Sequence, residues 1–309
     1  GNTPVSGNGT WSIISGNGLV SSPNSPVTGV NSLSPGQNIL QWSIVNGVCP
    51  ASTDQVNIQV LQAPSGANAG TDQEVCGNTA QLDAAQPDAG TGTWSLISGG
   101  GTFANPAQRN TQVSGLSNGL NIFRWTVTNG NCPVRADEVQ IHSYTAPTPA
   151  SAGADASICN LPLVLQGNTP ISGSGLWTIV SGGGSLSNPG QPNAGVSNMS
   201  AGQLVLRWTI SNGACPPSFD EVVYSVYNQP FASAGQNTLI CSSTINMSGN
   251  AVAGANGNWS FVSGSGNIQS PGNPQTFVSN LAQGANTLVW TLNNSVCPVS
   301  RDTVVITRY

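Results

Sequence analysis

The side chains able to do chemistry in this 309-residue chain are few: seven cysteines, eleven carboxylates, six arginines, one histidine and no lysine. Four cysteines precede proline, at Cys49, Cys132, Cys215 and Cys297, and three form a second series, Cys76, Cys159 and Cys241. No C-x-x-C occurs, so zinc-ligand spacing is missing and disulfides are the better reading. Each member of the second series lies 56 residues before a Cys-Pro cysteine, which predicts the bridges Cys76–Cys132, Cys159–Cys215 and Cys241–Cys297. Cys49 is then unpaired within this segment, its expected partner falling upstream of Gly1. A bridge closing a loop of about 57 residues is worth roughly 4 kcal/mol in the chain-entropy estimate. Disulfides also imply an oxidising compartment, extracellular or on a cell surface.

The other reactive groups point to little chemistry. His142 has Gln59, Ser225 and Thr307 at its equivalent positions, so no histidine-dependent triad can recur with it. The glycine runs such as Ser98–Gly101 lack the Lys-Ser/Thr ending of a phosphate loop and read as hairpin turns. The acids recur in two places, Asp54, Asp137, Asp220 and Asp302 before the last strand of each repeat, and Asp72 and Asp155 near a repeat's start. Oxygen ligands from Asp54, Asp72, Asp137, Asp155 and Asp220 could hold Ca²⁺ where repeats meet, but the favoured expectation is that each Asp caps a turn. No catalytic residue and no cofactor are expected, and the chain reads as a non-enzyme.

The elements that carry these residues are organised by a repeat. One tryptophan recurs at Trp11, Trp94, Trp177 and Trp259, and a second at Trp42, Trp125, Trp208 and Trp290, in steps of 83, 83 and 82 residues. Around them the apolar residues alternate, as in Phe123, Trp125 and Val127 against Arg124 and Thr126, or Trp94 and Leu96 against Thr93 and Ser95. Val139 and Ile141 are expected inward and His142 outward on the last strand. All eight tryptophans are expected in the core. The pattern predicts an all-β fold of tandem immunoglobulin-like sandwiches, about 83 residues each, with antiparallel order because no helical crossover is visible. The expected repeats are 1–63, whose first strand is missing, 64–146, 147–229 and 230–309. Proline-bearing linkers favour semi-rigid extension, so the expected object is a rod.

Charge excludes some partners. Only 6% of residues are charged and the net charge is −5, which argues against nucleic acid and against anionic membrane surfaces. No apolar run is long enough to span a bilayer. Partners are expected among neighbouring repeats of the same longer chain, with surface glycans or other cells as further candidates.

The stretch AGTDQEVC, followed by GTGTWSLISGGGTFANP, NIFRWTVTNGNCP and DEVQI, resembles the PKD-like, immunoglobulin-like repeats of large Bacteroidota surface proteins. That resemblance implies a secreted or cell-surface adhesin exported by type IX secretion, in the manner of gliding-motility adhesins. It also makes Asp302-Thr303-Val304 similar to an O-glycosylation triplet, with the glycan on Thr303. The leading functional expectation is a stalk or filament segment holding a binding tip away from the cell. A glycan- or protein-binding array and a polymerising filament subunit are the alternatives.

Overall fold

The computed structural model describes all 309 residues, as 26 strands and no helix. Two compact units cover the chain, Gly1–Thr145 and Ala146–Tyr309. The first unit opens with β1 (Asn8–Ser15), β2 (Leu19–Val20), β3 (Val30–Asn31), β4 (Gly36–Val45) and β5 (Ser52–Val60), which form its first sandwich. Its second sandwich is built from β6 (Gln73–Cys76), β7 (Thr79–Gln81), β8 (Thr91–Ser98), β9 (Thr102–Phe103), β10 (Gln112–Ser114), β11 (Gly119–Thr128) and β12 (Arg135–Tyr144). In the second unit, the third sandwich holds β13 (Ala156–Cys159), β14 (Leu163–Val164), β15 (Ser174–Ser181), β16 (Ser185–Ser187), β17 (Gly195–Ser197), β18 (Gly202–Ser211) and β19 (Ser218–Tyr227). The fourth holds β20 (Thr238–Ile240), β21 (Ile245–Asn246), β22 (Asn256–Ser263), β23 (Asn267–Ile268), β24 (Phe277–Ser279), β25 (Gly284–Asn293) and β26 (Ser300–Arg308).

The second, third and fourth sandwiches share one topology. A four-stranded sheet, ordered β6-β12-β11-β8 in the second, faces a three-stranded sheet ordered β7-β10-β9. The long strands pair antiparallel, but the short opening strand does not. β6 runs parallel to β12, β13 to β19 and β20 to β26, which corrects the expectation of purely antiparallel order. The parallel pair needs no helical crossover because the chain between its two strands is the rest of the sandwich. In the first sandwich the order is β1-β4-β5, so β5 is an edge strand.

The alternation in sequence becomes a core because side chains on a strand point alternately to the two faces of its sheet. The two tryptophans of each repeat lie directly opposite one another, Trp94 against Trp125, Trp177 against Trp208 and Trp259 against Trp290. Their ring centroids are 5.1 to 5.2 Å apart and tilted. Such pairs contribute about 0.5–1.5 kcal/mol beyond their area. A glycine two residues before the first tryptophan makes room for the second. A Cβ on Gly92, Gly175 or Gly257 would overlap the indole of Trp125, Trp208 or Trp290.

The first sandwich is more open. Trp42 is 3% exposed, but Trp11 is only half-buried. Val56 is 41% exposed, whereas its equivalents Val139, Val222 and Val304 are at 0 to 1%. In the closed sandwiches the segment leading into the opening strand packs small residues, Ala69, Ala152 and Ala234, into the core. Leu96 also departs from expectation, being 40% exposed. It pairs with Phe123 beside the register shift of β8, and Phe123 takes the buried place that leucine holds in the other repeats.

Candidate functional site

The recurrent acids form a clasp that closes the second, third and fourth sandwiches. Asp137 Oδ2 accepts a hydrogen bond from Ala69 N at 2.8 Å, and Asp72 Oδ1 accepts one from Gln140 N at 2.8 Å. The third sandwich repeats both, Ala152 N to Asp220 and Val223 N to Asp155, each at 2.8 Å. The fourth uses Ala234 N to Asp302 and Val305 N to Asn237, again at 2.8 Å. Each pair ties the opening segment to the last strand from both sides. A carboxylate suits the position because the parallel strand brings backbone N–H groups to it, and hydrogen bonds to charged acceptors are the stronger kind.

Of the five residues considered for Ca²⁺, Asp72, Asp137, Asp155 and Asp220 are thus engaged with backbone donors inside single sandwiches. Asp54, on the open edge of β5, accepts from the adjacent Gln55 N at 3.0 Å. No group of three or more His, Cys, Asp or Glu side chains gathers anywhere in the chain.

The cysteines overturn the predicted pairing. Cys159 is bonded to Cys297, 138 residues away, so the bridge joins the third sandwich to the fourth. Cys49, Cys132 and Cys241 are thiols, and Cys76 and Cys215 are also disulfide-bonded. Cys76–Cys132, Cys159–Cys215 and Cys241–Cys297 are therefore all excluded. The reason is the parallel register. Cys159 pairs with Tyr227 at the C-terminal end of β19, whereas Cys215 lies in the turn before the N-terminal end of the same strand. β19 has ten residues, so about 30 Å separates those poles at 3.3 Å per residue. A disulfide requires Cα atoms within about 7 Å. In the Cys159–Cys297 bridge the Cα atoms are 4.8 Å apart.

The Cys-Pro turn is thus a grip on the preceding sandwich. Cys297 Sγ lies 3.5 Å from Tyr227 O, and Asn294 Nδ2 donates to Asn228 O at 3.1 Å. The first unit shows the same arrangement between its two sandwiches. Cys132 Sγ lies 3.7 Å from Gln62 O and 3.9 Å from Leu61 O, and Asn129 Nδ2 donates to Gln62 O at 2.8 Å. Gly130, with φ +55, packs against Leu61 there.

The remaining candidates sit apart from this junction. His142 stacks on Tyr144 with centroids 4.5 Å apart. Thr303 is exposed on β26. Arg124–Glu138 and Arg207–Glu221 are surface pairs, each 2.6 Å, with side chains 37 to 44% exposed, and such pairs add about 1 kcal/mol at most. Burial, and secondarily the charge of Asp155, pushes the hydroxyl of Tyr224 above its ordinary 10.0. Sequence reading missed one polar group. Asn121 is fully buried and fastens a turn, accepting from Gly100 N and Ser117 N and donating to Ser117 O and Gly119 O at 2.9 to 3.0 Å. Asn38 and Asn286 recur at its position, but Leu204 does not, which hides the signal.

No known family model and no curated protein matches this chain. Solved structures similar to it include a three-domain immunoglobulin segment of titin, at 10% identity and a TM-score of 0.47, covering 81% of this chain and 100% of that one. The first four immunoglobulin domains of Sidekick-1 match at 12% identity and a TM-score of 0.34, over 98% of this chain and 90% of that one. The insect immune protein hemolin matches at 11% identity and a TM-score of 0.36, over 97% and 91%. The likeness is one of fold class, tandem immunoglobulin-like domains.

Proposed function

We propose that this chain is a stalk or filament segment of a large secreted cell-surface adhesin, in which consecutive sandwiches are stapled to one another to carry load. The observation that carries this reading is the Cys159–Cys297 bridge, which makes two successive sandwiches one covalent loop. A bridge inside one sandwich stabilises that sandwich. A bridge between sandwiches fixes how one follows the next, which is what a spacer needs and a set of independent binding modules does not. Disulfides also favour an oxidising, extracellular setting. The resemblance of the repeat to Bacteroidota surface proteins supports export by type IX secretion and a role in gliding or attachment.

Small-angle scattering on the oxidised chain tests the reading. It predicts a rod-like cross-section regime that shortens or softens when the disulfides are reduced. A compact globule, unchanged by reductant, overturns it.

A further inference from the structure

The first sandwich carries counterparts of the acceptor and donor groups with which the other three sandwiches hold their opening strand. The free edge of β5 corresponds to the edges of β12, β19 and β26 that pair with β6, β13 and β20. Asp54 corresponds to Asp137, Asp220 and Asp302, whose carboxylates each accept an alanine N–H. Asn57 corresponds to Gln140, Val223 and Val305, whose N–H groups each donate to the Asp or Asn of the opening segment. Cys132 stands over Leu61 as Cys297 stands over Tyr227.

One further observation marks the surface as open. Val56, with buried equivalents, is 41% exposed and lines an open cleft of about 500 Å³ with Gly1, Asn2, Trp11, Trp42 and Asp54.

We propose that the β5 edge, with Asp54 and Cys132, is an acceptor for an extended segment of this repeat's own opening type. The three internal examples define that segment as Ala-Gly-x-Asp/Asn-x-x-Val/Ile-Cys: Ala69–Cys76, Ala152–Cys159 and Ala234–Cys241. It adds in parallel, its alanine N–H donates to Asp54, its Asp or Asn accepts from Asn57 N, and its cysteine arrives opposite Leu61. That cysteine then bonds to Cys132, as Cys159, opposite Tyr227, bonds to Cys297. In formation, the two thiols transfer two electrons and two protons to a disulfide oxidant, which leaves as two thiols. Strand addition supplies affinity through main-chain hydrogen bonds, and the terminal cysteine makes the union covalent.

The test uses a synthetic peptide with the sequence of residues 149–160, its cysteine carried as a mixed disulfide with an aromatic thiol, added to the full chain. Exchange is balanced without an outside oxidant: the Cys132 thiolate attacks the peptide sulfur, one S–S bond forms, one breaks, and the aromatic thiolate leaves. Peptide mapping should find capture at Cys132 at least about tenfold faster than at Cys49 or Cys241, the factor expected for templated approach. This is discriminating because Cys49 and Cys241 are the more exposed thiols. Asp54→Ala should slow capture by about tenfold, the worth of one charge-assisted hydrogen bond. A Cys-to-Ser peptide should still slow amide exchange along residues 56–61 of both the parent chain and Cys132→Ser. Equal capture at all three thiols, or no protection of 56–61, overturns the proposal. Self-association of the chain through this edge that the peptide does not compete assigns the face to a second copy and also overturns it.

Discussion

Removing the carboxylate at Asp220 should unfasten the opening segment of the third sandwich. Asp220 accepts from Ala152 N at 2.8 Å, and Ala152 is fully buried in the core cluster. Asp220→Ala therefore loses a hydrogen bond to a charged acceptor and leaves a buried donor unpaired, a cost of about 2–3 kcal/mol. The reciprocal bond, Val223 N to Asp155, keeps the strand from leaving altogether. Amide exchange measured by mass spectrometry over residues 149–159 should accelerate by about 30- to 140-fold, at tenfold per 1.4 kcal/mol. Exchange in β18 should change far less. Asp155→Asn is the internal control. Asn237 already makes the equivalent bond to Val305 N at 2.8 Å, so that variant should change exchange by less than about fivefold, within the 1 kcal/mol usual for a retained neutral hydrogen bond. If Asp220→Ala leaves exchange unchanged, or Asp155→Asn does equal damage, the clasp is not what holds the opening strand.

Three further outcomes follow from the same geometry. Replacing Cys159 and Cys297 together by serine opens a loop of 138 residues' separation and should cost the second unit about 5 kcal/mol by chain entropy, read as a lower calorimetric Tm that reductant then lowers by less than it does in the unsubstituted chain, since Cys76 and Cys215 remain bonded. Gly175→Ala should destabilise by about 1–3 kcal/mol through overpacking against Trp208, visible in urea unfolding, while Gly66→Ala, where no atom lies within 4 Å of the added Cβ, should lack that packing cost. For Tyr224, the hydroxyl is raised above 10.0 by burial first and Asp155 second. The unfolded chain therefore loses this proton before the folded one does, so the stabilisation is complete below pH 10 and is lost as pH climbs through the folded value. Tyr224→Phe should flatten that alkaline decline in denaturant midpoints, and an unchanged slope would refute the assignment.

Much of the architecture is legible from spacing because a sandwich imposes its period twice. Alternation fixes which face Trp125 and Val127 occupy, and the 83-residue step fixes that the next repeat does the same. Disulfide pairing is not legible that way. In a periodic chain, Cys159 lies at a constant spacing from Cys215 and equally from Cys297, one repeat further on. Arithmetic on spacings cannot separate those partners. The deciding fact is that β13 runs parallel to β19 and delivers Cys159 to the pole opposite the Cys-Pro turn of its own sandwich. Parallel pairing of a four-residue strand leaves no mark on hydrophobic periodicity, so the register was hidden. The carboxylates were legible as recurrent but not as a clasp, because Asp72 and Gln140 meet only through the equivalent parallel strand β6. The half-burial of Trp11 shows the converse, since an identical motif cannot finish a core whose opening segment is not packed on it.

The central claim is that the covalent links run from one sandwich to the next. Proteolysis of the unreduced, alkylated chain followed by mass spectrometry decides it. A peptide containing Cys159 should travel with one containing Cys297, with Cys132 and Cys241 carrying the alkyl label. Recovery of Cys159 joined to Cys215, or of Cys241 joined to Cys297, would contradict the account.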